Sequence, residues 1–168
     1  MLELVSSKVV SAIAVLVLAG SVLGFFQIER GAMEEARFRE LADRLGGALD
    51  TLSTMSSGLT LNISFDGARP GLRLEGSFRG DTYHIELRPG QVILRQKGLT
   101  AVHALVQDVH VWDPHLLWNG TPYVSTAGMT SLDSEKDVLR IPSGEAIVVE
   151  RLMLVVDGTP LYQTFVHV

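Results

Sequence analysis

The chain has 168 residues, 14 of them basic and 19 acidic, for a net charge of −5, and it has no cysteine. Lacking cysteine, it has no disulfides, thiol nucleophiles or thiolate metal sites. A mildly acidic chain with no basic face is not expected to bind nucleic acid, and this length accommodates one domain beside one apolar segment.

The apolar segment comes first. "KVVSAIAVLVLAGSVLGFF" occupies residues 8–26, and Val9 to Phe26 is eighteen residues without a charge. As a helix it measures roughly 27 Å, close to a hydrocarbon core of roughly 30 Å. A cleaved signal peptide would use Lys8 as its basic region and Val22-Leu23-Gly24 as its cut. Against cleavage stand the apolar and acidic "MLEL" opening, the continuation through Phe25 and Phe26, and a following segment that reads as the same helix. A retained membrane anchor is the expectation; a buried soluble helix is the third reading. Gly20 and Gly24 lie four apart on one helical face, where another helix can approach closely, although glycine is common in membrane helices generally.

Orientation is read from two signals. Lys8 precedes the span, and Arg30, Arg37 and Arg39 follow it, so the count of basic residues does not favour a cytoplasmic N-terminus. Two glycosylation-type sequons, at Asn62 and Asn119, point the C-terminal part outward.

"QIERGAMEEARFRELADRLGGALDTLSTM", residues 27–55, reads as an amphipathic helix. Leu41, Leu45, Ala48, Leu49 and Leu52 make its apolar stripe. Glu35 with Arg39 and Glu40 with Arg44 are opposite charges in the favourable order. Gly46-Gly47 weakens the middle, and Ser56-Ser57-Gly58 ends it. Joined to the span, this makes a rod of roughly 70 Å whose amphipathic half must cover a surface.

The period then changes to two. Leu59, Leu61, Ile63 and Phe65 alternate as a half-buried strand. Strands follow around Leu72–Phe78, Tyr83–Leu87, Val92–Leu94 and Val102–Trp112, parted by "DGARPG", "RGD" and "RPGQ". In a Gly-Asp setting "RGD" reads as a turn. A linker runs over 113–137, and strands near 138–141, 145–156 and 160–168 close the chain. The fold class is α+β, a long N-terminal helix followed by an antiparallel sheet or sandwich head. The expected divisions are 1–28 anchor, 29–57 amphipathic helix and 58–168 β domain.

Nothing names a reaction. His103, His110 and His115 cluster with Asp108 and Asp113, and on a strand Asp108 and His110 would share a face. Such residues read as surface positions more readily than as a metal site. No nucleophile elbow, zinc helix motif, phosphate loop or dinucleotide fingerprint is present. The expectation is no enzyme, no cofactor and no metal. Trp112, Trp118 and Tyr123 gather in and beside the linker. Exposed, they would anchor a glycan or protein partner; folded inward, they would form a satellite core.

An apolar N-terminal helix running into an amphipathic half and then a β-rich head resembles a type IV pilin-like protein, of archaeal kind in some respects. "SKVVSAIAVLVLAGSVLGFF" is similar to that family's mature N-terminal helix. The resemblance covers the whole layout and implies a membrane-anchored, surface-facing component that self-associates or joins other pilin-like subunits through its helix. An anchored extracytoplasmic β domain that binds a partner through its aromatic loop is the alternative, and an anchored hydrolase or metal-binding domain comes third.

Overall fold

In a computed structural model, which describes residues 2–65, 71–111, 137–156 and 159–168, the first element is one helix, α1 (Leu2–Ser53). Among the described residues nine strands follow: β1 (Leu59–Ser64), β2 (Leu72–Arg73), β3 (His84–Arg88), β4 (Gln91–Gln96), β5 (Leu99–Ala104), β6 (His110–Val111), β7 (Leu139–Pro142), β8 (Ile147–Val156) and β9 (Thr159–His167). The chain divides into two compact units, Met1–Arg37 and Phe38–Val168.

The first unit is helix alone. Its large apolar side chains from Val15 through Ile28 have no cover: Val15, Leu16, Val17, Leu18, Val22, Leu23, Phe25, Phe26 and Ile28 are all exposed. The Ser21 hydroxyl donates to the Val17 carbonyl at 2.8 Å, which removes a donor that would otherwise need water. Beyond the apolar run, Arg30 pairs with Glu34 at 3.1 Å.

The second unit holds the core. Phe38, Leu41, Ala42, Leu45, Leu49 and Leu52 of α1 are buried, a three-and-four spacing that keeps one stripe turned inward. Phe38 and Ala42 extend the expected stripe, and Ala48 lies at its half-buried margin. The expected pairs at 35/39 and 40/44 are not among the ion pairs of the described residues. Arg44 instead donates to the Arg73 carbonyl at 3.1 Å, because the head lies within its reach.

The described strands of this unit form two sheets. One has the order β2-β1-β8-β9-β6, the other β5-β4-β3-β7. Alternation decides their faces: Ile63, Ile147, Val149 and Val166 from the first, and Ile85, Leu87, Val92, Leu94, Leu139 and Ile141 from the second, share one core with the helix stripe. The four-stranded sheet is antiparallel throughout. The five-stranded sheet departs from the expectation. Its β1–β2 and β6–β9 pairings are parallel, so this sheet is mixed. The two parallel partners are two-residue strands, too short to carry a period of their own.

Turns punctuate the head as their residues require. Phe78 and Asp81 exchange backbone hydrogen bonds of 2.9 and 3.1 Å, with Arg79 at φ 58° and Gly80 at φ 83° between them. Two consecutive positive φ values define a type I′ turn, and the Gln96 amide braces it by donating to Phe78 O at 2.7 Å. Within the RGD tripeptide, Arg79 and Gly80 are therefore a two-residue turn closed by the isolated Phe78–Asp81 bridge.

Candidate functional site

Gly20 and Gly24 lie on one face of α1, and a Cβ built on either would touch nothing within 4 Å. The helix around them is long and apolar enough to cross a membrane. Asn62 lies within β1, half-buried, between Leu61 and Ile63. Asn119, Trp112, Trp118 and Tyr123 lie outside the described residues.

The histidine cluster resolves differently from its reading as one strand. Asp108 precedes β6 and is not on it, so it does not share a strand face with His110. The His110 ring stacks on Phe165 with centroids 5.1 Å apart, and its Nε2 meets Gln163 Oε1 at 2.9 Å. Among the described residues no group of three or more His, Asp or Glu is arranged to hold a metal ion.

His103 takes a role that the sequence hides. It sits on β5 opposite Val92, facing inward, and its ring lies across α1. Nδ1 is 2.9 Å from Asp43 Oδ1 and Nε2 is 3.1 Å from Asp50 Oδ2. Two carboxylates on the two ring nitrogens call for two N–H donors, the imidazolium form. Asp50 also accepts the Val106 backbone N–H at 2.7 Å. Gly46 makes room: a Cβ there would collide with the His103 ring. The glycine that reads as a weak point in the helix is the seat of this clamp.

The clamp makes head stability depend on pH. Hydrogen bonds that the ring donates to Asp43 and then to Asp50 raise the His103 pKa above its usual 6.5. A raised pKa contributes stability that is complete below 6.5 and is lost as pH climbs through the raised value. His167 acts oppositely. Burial, outweighing nearby Glu150, lowers its pKa below 6.5, so acidification below that point costs stability. Thermal unfolding of the wild type should therefore show a midpoint that falls as pH rises above 6.5 through the raised His103 value. In His103→Gln that fall should vanish, while the decline on the acid side remains.

Two further charged groups are buried in the head. Glu86 on β3 is 5% exposed and is ringed by Arg88 at 3.5 Å, Arg95 at 3.3 Å and Arg140 at 3.2 Å, drawn from three strands. Arg151 on β8 is 8% exposed. Its Nε donates to Met55 O at 3.1 Å and its Nη1 to Thr164 Oγ1 at 2.9 Å. The sequence carried a signal for it: Ile147, Val149, Arg151 and Met153 alternate, so an arginine stands where the core face asks for an apolar residue. No known protein family, curated protein or solved structure matches the chain.

Proposed function

We propose that this chain is a membrane-anchored, non-enzymatic component of a surface assembly, with the layout of a type IV pilin-like protein. The helix is held in the bilayer or against the helices of neighbouring subunits, and the sandwich-like head faces outward. The observation that carries this reading is the run of exposed apolar side chains from Val15 to Ile28. A helix apolar all round belongs in lipid or in the centre of a bundle. Gly20 and Gly24 supply the smooth face on which a second helix packs. The head offers an outer surface closed around its own core, and the sequon at Asn119 suits an extracytoplasmic site.

The test uses the absence of native cysteine. Lys97 is exposed at the β4–β5 turn, so Lys97→Cys provides one thiol on the head. On intact cells a membrane-impermeant maleimide should label it, and the labelled protein should stay in the membrane pellet after an alkaline wash. Labelling only after permeabilisation, or release by the wash, contradicts the reading.

A further inference from the structure

A guanidinium removed from water loses several kcal/mol of hydration, and buried cations are ordinarily matched by an anion. Arg151 is not. Among the described residues no carboxylate pairs with it, and its hydrogen-bond acceptors, Met55 O and Thr164 Oγ1, are both neutral. The Tyr162 ring lies 5.8 Å from its Cζ, an attraction from a neutral neighbour. Burial holds the Arg151 pKa below its usual value. A guanidinium has five N–H groups, and the bonds from Nε and Nη1 engage two of them.

Arg151 also borders open space. Beyond the C-terminal end of α1, Arg151 of β8 and residues 160–163 of β9 line a cleft of 480 Å³ together with Thr54, Ser56, Gln107 and Asp108. That volume falls in the range of small-molecule sites. A buried cation in the wall, an aromatic ring beside it and neutral hydroxyl and amide groups around it form a complementary set for one planar anion. Asp108 at the lining disfavours a second negative charge. We propose that this cleft binds a small organic carboxylate, whose two oxygens take the N–H fork of Arg151.

The site is independent of how the chain assembles. The experiment is a titration of the full chain in detergent micelles at pH 7, following the Arg Nε–H resonances by NMR with total ionic strength held constant. Sodium acetate is the probe, with sodium chloride and sodium phosphate as comparisons. Acetate should move the Arg151 resonance saturably, with half-saturation on the order of 1–10 mM. Chloride should leave it in place, and phosphate should act more weakly than acetate. Arg151→Lys, followed with the wild type through the backbone amides of Tyr162 and Gln163 in the cleft wall, should weaken acetate binding at least about tenfold, because an ammonium lacks the planar fork. A resonance unmoved by acetate, or moved equally by chloride or phosphate, overturns the proposal. So does undiminished acetate binding by a folded Arg151→Lys chain. Should that variant fail to fold, the wild-type titration decides alone.

Discussion

Phe38→Ala is expected to destabilise the head by about 3–5 kcal/mol. The ring is 1% exposed. It packs at 5.0 Å from the Phe78 centroid and at 5.9 Å, edge to face, from Tyr83. Removing it takes away buried apolar area and the two aromatic contacts, and leaves a cavity whose walls are themselves fixed. Tyr83 cannot readily move in to fill it. Its hydroxyl donates to Glu75 O at 2.6 Å, and its backbone N–H donates to Ser143 Oγ at 3.0 Å. Burial ahead of the Glu75 charge pushes its pKa up to about 12, so the phenol stays protonated and bonded. A small domain has about 5–15 kcal/mol of total stability, and the unfolding midpoint should drop by roughly 10–20 °C. Near-UV circular dichroism during thermal unfolding reads this directly. Arg37→Ala, at the neighbouring exposed position, should change stability by no more than about 0.5 kcal/mol. A loss below about 1 kcal/mol for Phe38→Ala would mean that this ring does not anchor the helix stripe to the head.

The second large effect belongs to the apolar run. Leu18→Arg combined with Val22→Arg should move the protein out of the membrane fraction. Both side chains are exposed on the helix, so the change touches no packing within the chain and acts only through the surroundings. Each arginine near the centre of a span costs about 2.5–3.5 kcal/mol on insertion scales, and together they outweigh much of what the apolar run supplies. The same charge at Ala36, beyond the apolar run, should leave partitioning unchanged. Fractionation followed by immunoblotting distinguishes the variants. A double arginine variant that still sediments with membranes would place the apolar run elsewhere than in lipid.

Much of this architecture is legible in the residue pattern. Leu59, Leu61 and Ile63 announce β1 by alternation, and Leu61 and Ile63 pack on the core. Leu41, Leu45, Leu49 and Leu52 announce the buried stripe of α1. Gly80 marks its turn because two positive φ values are needed there. What stays hidden is long-range and chemical. His103 meets Asp43 and Asp50 across gaps of 60 and 53 residues, and a lone polar residue on an alternating strand looks like surface. Glu86 is buried by arginines that converge from separate strands, which no local pattern encodes. The parallel β1–β2 and β6–β9 pairings rest on two-residue strands, where periodicity has nothing to count. Arg151 is the intermediate case: its misfit in an apolar alternation is visible, but the neutral partners that make it chemically distinctive are not.

Helix-mediated assembly is the claim on which the functional reading turns, and disulfide cross-linking in native membranes tests it most directly. The chain has no cysteine of its own, so Gly20→Cys, Gly24→Cys and Val22→Cys each report a single position. Residues 20 and 24 share a face, while 22 lies about 200° around the helix from 20. Oxidised dimers are expected from Gly20→Cys and Gly24→Cys, and far fewer from Val22→Cys. Equal cross-linking at all three, or none at Gly20 and Gly24, would contradict packing through the glycine face.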